Sequence, residues 1–211
     1  MKKFFVFAAA AAFALVACNK DNPTVDGSGT GNEGGNNEPT KVEVVLNELS
    51  GADKYIELYN KSDKEVSLEG LCLVKYDSSK EGGKSTTWTG KAGMKIAAKG
   101  FVVLESSDLS DPAEDGDPAY VYESANHVFK GGLSGKKNVK IELQNADGDV
   151  LDTFVRGEEG AGWNQVSGFN NDKKHTFSRV PDGTGEFVYA DPTKGATNGA
   201  KVADIELAPE M

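Results

Sequence analysis

The residues with the most chemical potential are one acidic stretch, two lone histidines and a few aromatics set among glycines. Asp108, Asp111, Glu114, Asp115 and Asp117 crowd into residues 108–117. Carboxylates this close together suit a hard cation such as Ca²⁺. Asp111, Asp115 and Gly116 echo the spacing of an EF-hand loop, but Ala113 holds the third position and Tyr122 stands where the bidentate Glu belongs. Two readings stand: a calcium loop on Asp111, Asp115 and Asp117, or a solvated acidic loop. His127 and His175 are the only histidines, and neither has a cysteine or second histidine at zinc-ligand spacing. Ser178, His175 and an aspartate could supply the parts of a nucleophilic triad, but no nucleophile elbow accompanies them. The sequence therefore predicts neither a catalytic residue nor a resident metal. Trp88, Trp163 and Phe169 are candidates for binding. Trp163 lies in Gly160-Ala161-Gly162-Trp163-Asn164 and Phe169 between Gly168 and Asn170, where a large ring has few local partners. Rings on loops stack on sugars or anchor protein interfaces. The alternative is that they, with Tyr120 and Tyr122, cover the open ends of the fold.

The elements that must hold these residues are strands. Val42-Glu43-Val44-Val45-Leu46, Tyr55-Ile56-Glu57-Leu58-Tyr59 and Gly70-Leu71-Cys72-Leu73-Val74 are short apolar or alternating runs. Phe101–Leu104, Val139–Leu143 and Val150–Val155 follow. In the fifth run, Val139, Ile141 and Leu143 should face the core, with Lys140, Glu142 and Gln144 facing water. Asp147-Gly148 between the last two predicts a hairpin. No stretch past Lys41 carries a helical period. Short strands separated by Gly, Asn, Asp and Ser clusters predict a sandwich or barrel. The roughly 170 residues involved suffice for one such core and not for two.

Ahead of this domain the chain opens Met1-Lys2-Lys3, then runs apolar from Phe4 to Ala17. A basic start and a short apolar run mark an export signal, and the run is too short for a permanent membrane helix. It ends Leu15-Val16-Ala17-Cys18, which resembles the bacterial lipobox. That resemblance implies cleavage before Cys18 and diacylglycerol on its thiol. More than one acyl chain at a single point makes a stable anchor where one chain binds reversibly. Residues 19–40 contain one aliphatic residue, Val25, and no aromatic. Such a stretch cannot bury enough apolar surface to offset its ordering entropy, so it is expected to be a disordered tether. As a flexible coil it would hold the domain about 25 Å from the lipid. Asn19-Lys20-Asp21 partly resembles the acidic surface-export signals of Bacteroidota lipoproteins, with one acid where those favour two or more. The expected organisation is a signal over 1–17, lipidated linker over 18–40, β domain over 41–200 and tail over 201–211. The expected location is the cell envelope, on the outer membrane and facing either the periplasm or the surface.

The formal charge is −10, and loss of Lys2 and Lys3 with the signal makes it two units more negative. An acidic domain repels phosphate backbones, which argues against nucleic acid as a partner. With Cys18 lipidated, Cys72 remains alone, so no intramolecular disulfide can form. Its setting, Leu71-Cys72-Leu73-Val74, is that of a buried thiol.

Four segments and a C-terminal finish resemble the lamin tail domain family. They are Val45-Leu46-Asn47-Glu48-Leu49 with Lys54-Tyr55-Ile56-Glu57-Leu58-Tyr59-Asn60, then Val66–Leu73, Ile96–Leu104, and Leu133–Leu143 with Asp147-Gly148 and Asp152. The finish is Ser178-Arg179-Val180-Pro181-Asp182-Gly183-Thr184-Gly185 to Asp191-Pro192-Thr193-Lys194-Gly195-Ala196-Thr197-Asn198. The resemblance spans almost all of Val42–Asn198 and implies an immunoglobulin-like β-sandwich. It places Arg179 at a tight turn and has Pro192–Asn198 close the last corner. The sequence departs from the family pattern over 108–126 and 158–174. In bacteria the family is usually a non-catalytic module. The expectation is a lipid-anchored adaptor for an envelope or surface protein, with a polysaccharide-binding module on the loop aromatics as the alternative and a hydrolase as a distant third.

Overall fold

The computed structural model describes residues 43–110, 120–157, 162–165 and 173–204. The signal, Cys18, the linker, Asp111, Asp115, Asp117 and Phe169 lie outside the described residues. The described residues hold β1 (Val44–Ser50), β2 (Tyr55–Asn60), β3 (Val66–Ser67), β4 (Cys72–Tyr76), β5 (Lys84–Thr89) and β6 (Lys95–Ile96). After these come β7 (Phe101–Ser106), β8 (Val128–Phe129), β9 (Val139–Gln144), β10 (Val150–Arg156), β11 (Thr176–Val180) and β12 (Glu186–Ala190). The only helices among them are 3-10 turns of three or four residues.

Two sheets pack as an immunoglobulin-like sandwich. One runs β12-β11-β1-β2-β7-β8, the other β10-β9-β4-β5, with β3 and β6 forming a small pair. All pairings are antiparallel except that of β7 with β8. Alternation sends Leu46, Leu49, Ile56, Leu58 and Leu104 inward from the first sheet to meet Leu73, Trp88, Ile141, Leu143 and Phe154 from the second. Cys72 is fully buried and unbridged, as its apolar setting predicts.

The β9–β10 hairpin forms at the predicted Asp-Gly. Asn145 Oδ1 accepts from the Asp147 and Asp149 amides at 3.0 and 2.8 Å, and Gly148 takes the left-handed conformation at φ 86°. In β9, Val139, Ile141 and Leu143 enter the core as expected. The expectation for the other face needs correction: Glu142 and Gln144 are 5% and 4% exposed. β9 is flanked on both sides, by β4 and β10, and its neighbours cover the outer face. Tyr76 Oη and Gln144 Nε2 donate to the two Glu142 oxygens at 3.0 and 2.7 Å, and Lys140 Nζ lies 3.1 Å from Oε1. Alternation sets the face a side chain takes; strand position sets whether that face is wet.

β11 and β12 are joined by the tight turn expected after Arg179, with the Gly185 amide bonded to Pro181 O at 2.8 Å. Gly183 sits there at φ 66°, and a Cβ on it would come within 2.6 Å of the Tyr59 ring. After β12 the chain returns to it: Ala203 bridges Tyr189 and the Val202 amide bonds Tyr189 O at 2.9 Å.

Candidate functional site

All seven residues of β1 are buried. Its inner face meets the second sheet, and its outer face is covered by the segment 191–198 returning across the six-stranded sheet. Beneath that strap lie carboxylates. Glu48 and Glu57 are directly opposite each other on β1 and β2, and both are fully buried. Like charges so placed repel, and the strap and β11 answer with donors. Thr193 N and Thr176 Oγ1 donate to Glu48 Oε1 at 3.1 and 2.6 Å, and Gly195 N donates to Glu57 Oε2 at 2.6 Å. Asn47 Nδ2 lies 3.0 Å from both Glu57 Oε1 and Asp182 Oδ1, while Asn47 Oδ1 accepts from Gly183 N at 2.9 Å. Lys194 Nζ reaches Glu105 Oε1 at 2.7 Å, and Asn198 Nδ2 donates to Arg179 O at 3.0 Å.

Burial pushes Glu57 up to about 7, with Glu48 and Asp182 adding to the rise and the Asn47 and Gly195 hydrogen bonds opposing it. Burial, then the Glu48 charge, also raises the Tyr55 phenol. The Tyr55 hydroxyl has no hydrogen-bond partner among the described residues. Glu105 is also pushed up by burial, but its bonds from Lys194, Tyr120 and the Glu123 amide win and hold it below its usual range. These carboxylates are occupied with closing the fold. Sequence reasoning missed them, although Asn47-Glu48 and Glu57 inside apolar runs were a visible signal.

A second polar contact joins the sheets. Arg179 Nη2 meets Asp152 Oδ1 at 2.8 Å, its Nε and Nη1 bond Leu46 O and Gly185 O at 2.9 Å each, and Asp152 Oδ2 accepts from Leu46 N at 2.9 Å. The Arg179 guanidinium also lies over the Phe187 ring, 4.2 Å from its centroid.

Beside this contact the two sheets end unevenly. The four-stranded sheet stops at β10, whereas the six-stranded sheet extends to β12. Phe154 of β10 packs against Phe177 of β11 and Phe187 of β12 at ring distances of 5.2 and 5.0 Å. Beyond β10 a groove of about 520 Å³ opens over the inner face of β12, with Phe187, Phe177 and Arg156 among its walls. β10 pairs with β9 on one side only. Its outer edge carries no backbone pairing among the described residues, and Val150 and Val155 are 51% and 47% exposed.

The lamin tail domain family model matches residues 37–158 of this chain, more than half its length. This chain is a lamin tail domain protein. No curated protein matches it. The matched range ends before β11, β12 and the strap, yet in this lamin tail domain those elements complete the six-stranded sheet and seal its carboxylates. The family and the sandwich together are those of a binding module.

Within the lamin tail domain, the aromatics expected to bind are dispersed. Trp88 is corrected to a core residue. It is 5% exposed and its indole N–H donates to Asn126 O at 2.8 Å, because strand alternation on β5 turns it inward. Trp163 is half-buried, and its carbonyl accepts from the Ser78 amide at 3.1 Å. Tyr120 and Tyr122 pack edge to face and bond Glu105 Oε1 and Ser106 O at 2.7 and 3.0 Å, tying the loop to β7. The structure does not assemble the Ser178–His175 pair. Ser178 is fully buried under the strap beside Thr176, whereas His175 sits with Tyr189 and 4.0 Å from Asp191. No group of three or more His, Cys, Asp or Glu side chains suited to a metal occurs among the described residues.

Proposed function

We propose that this protein is a non-catalytic, lipid-anchored envelope module that holds a protein partner by adding one of the partner's strands to β10. The observation that carries this reading is the uneven end of the sandwich. A strand laid beside β10 would satisfy its open backbone edge and cover Phe187 and the inner face of β12. Main-chain bonds would supply affinity and the phenylalanine groove would supply side-chain selection. Natural proteins blunt exposed edges with charges or proline, yet β10 presents Val150 and Val155. The lipobox-like Leu15-Val16-Ala17-Cys18 and the polar segment 19–40 support tethering to the outer membrane, where a partner would be held close to the lipid.

Amide hydrogen exchange over residues 150–156 tests the docking edge, measured on the protein alone and bound to the envelope protein it retains. Slowed exchange along β10 in the complex supports strand addition. Exchange that is unchanged there and slowed elsewhere contradicts it.

A further inference from the structure

A second cleft, of about 710 Å³, opens at one end of the sandwich between β4, β5 and the loop that follows β8. Its charged lining is Lys75, Lys80, Lys130 and Lys137 against Asp77 and Asp108. This excess of cations stands in a chain whose net charge is −10. None of the four lysines forms an ion pair among the described residues. Asp77 is already committed to neutral donors: Ser79 N and Oγ at 3.0 and 2.7 Å, and Asn164 Nδ2 at 2.8 Å. Lys75 follows the core residue Leu73 by two positions on β4, so its stem runs inward between the sheets. Its ammonium donates to Gly132 O at 2.6 Å. An ammonium has three donors, so two remain. Burial pushes this lysine below its ordinary range, opposed by the charges of Asp77 and Asp108.

The walls are fixed in place. Lys130 N bonds Thr87 O at 2.8 Å, and Gly131 is held through both its N–H and its C=O by Ser107 Oγ and Ser106 Oγ at 2.9 Å each. Arg156 donates to Lys137 O and Ser134 O from below. A loop so tied costs little further ordering when a ligand binds. Ser85, Thr86, Thr87 and Ser134 add hydroxyl-bearing side chains to the lining, and among the described residues no aromatic side chain lines it.

We propose that this cleft binds an acidic saccharide, with Lys75, Lys130 and Lys137 facing its carboxylate or sulfate groups and the serine and threonine hydroxyls facing its ring hydroxyls. A neutral sugar would leave the lysines unanswered. Single-stranded nucleic acid draws affinity from bases stacked on aromatic rings, and none lines the cleft among the described residues. The site shares no lining residue with the β10 groove, so it stands or falls independently of the strand-docking reading.

The test is calorimetric titration of the intact chain in detergent with polygalacturonate, dextran sulfate, neutral dextran and single-stranded DNA. Saturable binding to either acidic glycan is expected, with the two arms separating carboxylate from sulfate recognition. Neutral dextran should show none. The variants are Lys75→Met and the pair Lys130→Glu with Lys137→Glu, each with its thermal melt measured; Lys130 is exposed and Lys137 half-buried. The pair should retain the wild-type melt and weaken binding at least tenfold. Lack of saturable binding to both acidic glycans, equal binding by the charge-reversed pair, or tighter binding of DNA would overturn the proposal.

Discussion

Arg179 of β11 and Asp152 of β10 meet at 2.8 Å across the two sheets, and between them they satisfy both the N–H and the C=O of Leu46. Leu46 stands at the register shift in β1, beyond the two-residue pairing of β1 with β11. Its backbone groups on that side therefore depend on side chains. The ion pair is a cap for a strand that would otherwise end with buried unpaired groups.

Removing either partner should consequently be expensive. Asp152→Ala and Arg179→Ala are each expected to cost about 3–5 kcal/mol, because each leaves a part-buried charge without its counter-ion. The double variant should cost less than the sum of the two by about 1–3 kcal/mol. Denaturant unfolding of the three variants measures this, and simple additivity would show that the two residues act separately.

Glu57 predicts an unusual pH response. Its folded-state value lies near 7, above its unfolded 4.5, so the folded state holds the extra proton between those limits. The stability it contributes is fully present below pH 4.5 and is lost as pH rises through 7. The fall should reach about 3 kcal/mol. Glu105 and Glu142 have depressed values and act oppositely, losing their contribution as pH falls below the ordinary carboxylate range. Chemical denaturation from pH 4.5 to 8 should therefore show declining stability, and Glu57→Gln should flatten that slope. A slope unchanged by the substitution would assign it to another group.

The strap over the carboxylates gives a third prediction. Asn198→Ala removes donors to Asn47 O and Arg179 O and should cost about 2–3 kcal/mol, the penalty of leaving buried acceptors unpaired. The exposed Lys201→Ala, by comparison, should stay within about 0.5 kcal/mol of wild type. Thermal melts distinguish the two, and equal effects would mean that the strap is not a fixed part of the fold.

The lipobox resemblance predicts that the chain incorporates labelled fatty acid in cells and that Cys18→Ser abolishes it. Cys72→Ser should leave labelling intact, because that thiol is buried inside the sandwich. Labelling that survives the loss of Cys18 would remove the anchor from this account.

The strand order of residue types made much of the fold legible. Six apolar runs, the Asp147-Gly148 turn and the buried setting of Cys72 each led to the element observed. What was hidden depended on partners distant in sequence. Glu142 alternates like a solvent-facing residue, and only its place on a central strand buries it. Trp88 sits among threonines and looks exposed until β5 turns it onto the core. Lys75, Lys130 and Lys137 are far apart along the chain, so no local pattern announces that they line one cleft. The β10 edge was equally invisible, because an edge is a property of sheet order, and the sheets end unevenly only when β12 is placed.

The most direct test of the adaptor reading is site-specific photocrosslinking on intact cells, with the reactive side chain placed at Val155 on the β10 edge. Val121, which is 86% exposed, serves as the control position. The account predicts one discrete adduct with an envelope protein from position 155, weakened by Phe187→Lys in the groove and absent from position 121. No adduct from position 155, or the same adducts from both positions, would contradict it.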